Sequence, residues 1–299
     1  MAVSGKVREQ KEWKKSTGFF EGEVLCINPD REKLEQLLGV TLEKDPEYLG
    51  TKTEEVELPD GSKKNQTYTK LDVVIWLRDV KTDAKRSVKF FLKDLPKLNK
   101  EKTKTQYINS IGVVSWADKP ENLPEWFTAR EYRPAHQGEE DLYNFITSWL
   151  AKVDFKDAES LISFDWAKLM KGNTKEIAEN MNGPYAGTVV CLCLISTTEK
   201  EVDGVKEKKE YEQVYNRDFL PGYIMKDVRL RTINDDFIAK AKATEKKKKS
   251  RLQKFVLQVT DKEWGIKDYF TLGELKEYDP KDNVAASSTA HINEGDATY

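Results

Sequence analysis

The chain has 299 residues, enough for one large domain or two ordinary ones, and 34% of it is charged. Lys and Arg number 50 against 52 Asp and Glu, a net charge of -2, so no global field advertises a polyanionic partner and any basic surface has to be local. Hydrophobic residues at 38%, with seven Trp, twelve Tyr and twelve Phe, exclude a largely disordered chain. Apolar runs such as VVIWL are too short to span a bilayer, and three cysteines without framework spacing exclude a disulfide scaffold.

Residues 1–18 read as a basic arm carrying Lys6, Arg8, Lys11, Trp13, Lys14 and Lys15. The arm has no apolar stretch of the secretory type, so the expected location is the cytoplasm. Residues 19–128 read as a β domain. It opens on FEGEVLCI (20–27), a strand with Gly22 where a bulge or bend belongs. In LDVVIWLRD (71–79), strand alternation puts Val73, Ile75 and Leu77 on the core side and Trp76 and Arg78 on the other. SVKFFLKD (87–94) likewise separates Val88, Phe90 and Leu92 from Lys89, Phe91 and Lys93. Paired as a hairpin, the two strands present Trp76, Arg78, Lys89, Phe91 and Lys93 on one surface. The stretch LPKLNKEKTKTQYINSIGVVSW extends it with Lys97, Lys100, Lys102, Lys104, Tyr107 and Trp116.

Residues 129–182 read as a helical connector. EEDLYNFITSWLAKV (139–153) spaces Leu142, Phe145, Ile146, Trp149 and Leu150 at helical intervals behind an acidic first turn. FDWAKLM and NTKEIAENMNG suggest shorter helices, the last stopped at Gly183-Pro184. Residues 183–280 read as a second β domain. YAGTVVCL (185–192) overlays FEGEVLCI, matching Gly187 to Gly22 and Cys191 to Cys26. VLQVTD (256–261) overlays VIWLRD, which places Phe255, Leu257 and Val259 on the core side, and YFTL (269–272) overlays KFFL. In this alignment Gln258 and Thr271 replace Trp76 and Phe91, so the second copy lacks the stacking side chains. Its loop carries Lys246, Lys247, Lys248, Lys249 and Arg251, suited to phosphate contacts. Residues 281–299 read as a polar tail.

The sequence offers no catalytic pattern. His136 and His291 have no partner at a metal spacing, and no Walker, GxSxG or GxGxxG motif occurs. Cys191 and Cys193 share a strand face but lack two further zinc ligands. Glu139 and Glu140 in RPAHQGEEDLY suit a helix N-terminus without acid/base work. The expectation is a protein without enzyme activity, cofactor or metal.

Aromatic rings interleaved with cations are what a single nucleic-acid strand requires, since bases stack on rings while Lys and Arg hold phosphates. A β domain with a glycine-bent opening strand and an aromatic, basic hairpin resembles an OB-fold. The expected fold class is therefore mainly β with an α connector, as two OB-like β-barrel domains joined by a helical segment. FFEGEVLCINPD, KTQYINSIGVVSW and LPEWF are similar to stretches of the single-stranded-DNA-binding proteins of large tailed, crAss-like phages. That resemblance implies coating of single-stranded DNA in phage replication or recombination, in the cytoplasm of the infected cell, beside replication or recombination proteins. A virion structural or assembly protein is the alternative, and a nuclease a third reading. Asp282, Glu294 and Asp296 make a weaker acidic tail than such binders commonly use to recruit partners.

Overall fold

The alternation of Phe19 and Phe20 to opposite faces of one strand sets up the architecture, because both rings are buried and each belongs to a different core. A computed structural model describes residues 15–57, 61–110, 112–151, 165–174, 187–202, 205–227, 230, 233–259 and 275–277. Strand β1 (Ser16–Ile27) leads to helix α1 (Arg31–Leu38), which starts where the Asp30 carboxylate accepts from the Lys33 amide and stops at left-handed Gly39. Then come β2 (Leu49–Glu57), β3 (Lys63–Asp79) and β4 (Lys85–Pro96). Strands β5 (Thr105–Asn109), β6 (Val114–Ala117) and β7 (Tyr132–Pro134) form a separate small sheet, with helix α2 (Glu125–Thr128) between β6 and β7. They are followed by β8 (His136–Gln137), α3 (Glu139–Leu150) and α4 (Trp166–Leu169). The last elements are β9 (Val189–Val202), β10 (Val205–Val214), β11 (Leu220–Pro221), α5 (Asp235–Ala243), α6 (Arg251–Val259) and β12 (Lys276–Glu277).

The large sheet has the order β10-β9-β1-β3-β4-β8, with every neighbouring pair antiparallel. Gly18–Gly22 of β1 pair with β9, and Gly22–Ile27 pair with β3, so Gly22 is the residue at which the strand passes from one neighbour to the other. A Cβ there would lie 3.3 Å from the Phe20 ring and 3.5 Å from Leu77, closer than the packed interior comfortably allows. The register shift itself lies between Val24 and Cys26. Since each neighbour reverses direction, β4 and β10 run the same way. The sheet curls until these two approach, and the Asn216 side-chain amide donates to the Lys89 carbonyl at 2.8 Å.

Inside the curl lie Leu71, Val73, Ile75, Leu77, Val88, Phe90 and Leu92, all at or below 1% exposure. Helix α3 closes one end with the apolar stripe expected of it, and Phe145 packs 5.7 Å from Phe90 and 4.9 Å from Phe219, ring centroid to ring centroid. Each buried ring of this kind contributes about 1.5–3 kcal/mol. Gly138 makes the closure possible. It stands in left-handed backbone (φ 81) at the start of α3, where any Cβ would collide with the Phe91 carbonyl.

Two expectations about the second half change. The segments aligned as repeats, around Cys26 and Cys191, are direct neighbours in one sheet: Phe20 pairs with Cys191 and Gly22 with Val189. Strands from residues 19–128 and from 183–280 therefore build a single curled sheet. Cys191 and Cys193 do face its interior, where burial pushes both thiols up, but Cys26 is half-buried and pairs with Trp76 on the other side. The second correction is VLQVTD, which belongs to helix α6 up to Val259 and is not a strand. Leu252, Phe255 and Val256 share a helical face that, with α5, covers the outer side of β9 at Val190, Leu192 and Leu194. Phe255 meets Phe19 there at 5.7 Å. The same nine residues satisfy both periods, and packing against β9 decides for the helix. YFTL, NTKEIAENMNG beyond Thr174, His291, the arm up to Lys14 and the tail lie outside the described residues.

Near the junction of α3 with the loop after β10, burial pushes Asp141 up to about 7, countered by Lys97 and Arg217 and reinforced by Glu140 and Asp218. Burial also pushes Asp218 up to about 6, against the pull of Arg251. Folded-state values above the unfolded ones mean that the native state holds these protons more tightly. Stability from these groups is thus greatest in acid and falls as pH rises from about 4 to about 7. Thermal melts should show Asp141→Asn raising Tm more at pH 8 than at pH 5. A pH-independent effect would contradict the assignment.

Candidate nucleic-acid interface

Cross-strand register fixes the outer surface of β3 and β4, because directly opposed residues project to the same face. Lys70 pairs with Lys93, Asp72 with Phe91, Val74 with Lys89, Trp76 with Ser87 and Arg78 with Lys85. The face foreseen from Trp76, Arg78, Lys89, Phe91 and Lys93 is thus assembled on one side of the hairpin. Its centre is Phe91, 40% exposed, with the Lys89 amine 4.8 Å and the Lys70 amine 5.0 Å from the ring centroid.

Trp76 differs from expectation. It is half-buried, and its indole N–H is enclosed with no acceptor among the described residues. Helix α1 comes close to this end of the hairpin, where the Lys85 amine donates to the Leu37 carbonyl at 2.7 Å. Lys93 is also largely covered: its amine lies 4.9 Å from the Tyr68 ring centroid and 3.5 Å from Glu54. Sequence reasoning missed the carboxylates. Arg78 donates through Nε to Glu23 at 3.0 Å, Lys89 pairs with Asp72 at 2.8 Å, and Lys70 pairs with the other Asp72 oxygen at 3.0 Å. Asp72 was readable, since outward alternation places it two residues before Val74; Glu23 and Glu54 come from β1 and β2 and left no local signal.

Beyond the end of β4, Lys102 and Lys104 are exposed in a turn organised by Asn99, whose side-chain oxygen accepts from the Thr103 and Lys104 amides at 2.8 Å each. Lys102 adopts left-handed backbone there (φ 56). Tyr107 is not a surface ring. At 5% exposure it belongs to the core of the small sheet with Ala117, Leu123 and Phe127, and burial raises its hydroxyl pKa. Trp116 is 39% exposed on that small sheet, apart from the β3–β4 ladder. The most exposed tryptophan among the described residues, Trp126 at 65%, was not foreseen; adjacent helical residues diverge, so burying Phe127 turns Trp126 outward.

The lysine run divides in two. Lys246, Lys247 and Lys248 form an exposed 3-10 turn on the helical layer over β9, and Lys248 pairs with Glu245 at 3.2 Å. β1 separates β9 from β3, so this turn is not part of the hairpin face. The side chains of Lys249 and Arg251 have partners within the protein. The Lys249 amine caps the end of α5, donating to Ala241 O at 2.6 Å and to Thr244 O. The Arg251 guanidinium reaches Ser148 Oγ at 3.2 Å, tying α6 to α3.

A direct check follows from this division. Lys249→Gln should lower stability by about 0.3–1 kcal/mol, the value of a cation at a helix C-terminus. Replacing Lys246, Lys247 and Lys248 by Gln should leave the melting curve unchanged. Equal effects in the two melts would refute the cap. No protein-family model, curated protein or solved structure matches this chain.

Proposed function

We propose that the chain is a non-catalytic protein that binds single-stranded DNA without reading its sequence, taking the strand across the outer face of β3 and β4. The observation that carries this reading is Phe91, an exposed ring flanked by two lysines on a rigid ladder. A base stacks on such a ring while the more exposed of the two amines, Lys89, meets a neighbouring phosphate. Arg78, Lys85 and the turn at Lys102 and Lys104 lengthen the cationic track in both directions. Sequence-independent binding fits a track of cations around one exposed ring, because contacts to phosphates and to ring faces carry no sequence information.

The proposal extends to the fold. The path of three strands, a helix plugging one end and a two-strand hairpin, with β1 shared between both halves, has the connectivity of one OB-type barrel. That replaces the two barrels first expected. In OB-folds the hairpin of the second and third strands is the ligand face, which is where β3 and β4 fall. Replication or recombination of phage DNA in the infected cell's cytoplasm, with other replication proteins nearby, is the setting we infer for it. A virion assembly role is the second reading, favoured by one observation, the exposed Trp126 of helix α2 beside the small sheet.

Titration with fluorescent oligo-dT separates the two. The proposal expects saturable binding that weakens with salt, and Phe91→Ala should cost about 1–3 kcal/mol of affinity. Trp76→Ala should act mainly on stability because its ring is half-buried. Absence of oligo-dT binding at low salt, or unchanged affinity in folded Phe91→Ala, would overturn the reading.

A further inference from the structure

In the unbound protein Lys70, Arg78, Lys89 and Lys93 of the β3–β4 face are each held by a carboxylate of the same sheet, while Lys85 donates to the Leu37 carbonyl. Glu23 of β1, opposite Arg78 in register, takes that guanidinium at 3.0 Å. Asp72, opposite Phe91, bridges the Lys70 and Lys89 amines at 3.0 and 2.8 Å. Glu54 of β2 lies 3.5 Å from Lys93 and also accepts from the Tyr68 hydroxyl. The hydrogen bond holds the Glu54 carboxyl below the usual range, as an ionised partner requires.

These acids lie in the path proposed for the phosphates. We infer that the face binds a single strand by exchange, the phosphates displacing Glu23 from Arg78 and Asp72 from Lys89, so that the two carboxylates set how tightly the protein holds DNA. The inference rests on the function proposed above and names what regulates that site.

Burial distinguishes the partners. The Asp72 side chain is 12% exposed, Lys70 23% and Lys89 45%. Lys89 is therefore the amine that turns outward to a phosphate, while Lys70 stays on Asp72 and keeps that carboxylate neutralised. Without Lys70, releasing Lys89 would strand a poorly solvated charge beneath the incoming polyanion. Glu23 and Arg78 are both about half-exposed, so their pair is screened and separates readily. Lys93, 12% exposed beside the Tyr68 ring, stays on Glu54 and takes no part in the exchange. Every displaced pair subtracts from the binding free energy and from the net positive charge a strand meets. The result is a protein whose hold on DNA is moderate for its lysine content.

The test measures oligo-dT affinity across a salt series for the parent, Glu23→Gln and Asp72→Asn, with melting curves to confirm folding. Each variant should bind about two- to fivefold more tightly at low salt, as loss of a weak competing pair implies. Log K should also fall more steeply with log salt, by up to about 0.7 for each cation released to a phosphate. A merely structural carboxylate would not steepen the slope. Folded Glu23→Gln with unchanged or weaker affinity and the parent slope would overturn the exchange while leaving DNA binding intact. If neither the parent nor Glu23→Gln binds oligo-dT, the proposed function falls and this inference with it.

Discussion

The curled sheet depends on the seam between β4 and β10. No backbone ladder joins these two strands among the described residues; side chains hold them together. Arg86 points inward from β4, 5.0 Å from the Phe20 ring centroid, donates to Glu212 of β10 at 2.7 Å and lies 3.6 Å from Asp79. Glu212 also accepts from the Ser16 amide at 2.7 Å, so the start of β1 is tied into the same knot. Asn216 closes the other end of the seam on the Lys89 carbonyl. A buried ion pair of this kind adds little net stability, but removing one partner leaves an uncompensated charge and costs about 3–5 kcal/mol. The seam thus specifies curvature more than it adds stability.

Curvature is what gives the face its chemistry. With Phe90 drawn into the ring cluster with Phe145 and Phe219, strand alternation leaves Phe91 no choice but the outside. Helix α3 then fixes the height of β4, since Gly138 is pressed against the Phe91 backbone. The candidate stacking ring therefore sits on a backbone held from below by a packed core and along one edge by β8 and the helix start. A loop bearing the same residues would lose more order on binding.

Much of this was legible in the residues. Alternation in LDVVIWLRD and SVKFFLKD put Val73, Ile75, Leu77, Val88, Phe90 and Leu92 on their observed inner face and Trp76, Arg78, Lys89, Phe91 and Lys93 on the outer one, because one side of the ladder is buried and a slip would expose it. The apolar spacing of α3 was as clear. The apparent repeat misled because β1 and β9 are neighbours in one curled sheet and so need similar apolar, small-residue patterns. RLQKFVLQV could not be resolved, for nine residues with apolar letters at both spacings fit a helix and a strand equally well until a partner surface exists. At the site, cations and rings were visible but their carboxylate partners were not. Glu23 lies 55 residues from Arg78 and Glu54 lies 39 from Lys93, so only the sheet brings them together.

The central claim is that single-stranded DNA lies across the outer face of β3 and β4. Ultraviolet cross-linking of the full chain to a photoreactive oligo-dT, followed by peptide mapping, tests where the strand lies. The account predicts adducts concentrated on the peptide that contains Phe91, with weaker ones around Lys102 and Lys104. Adducts confined to the helical layer at Lys246–Lys248 or to the small sheet at Trp126, with none on β4, would contradict it.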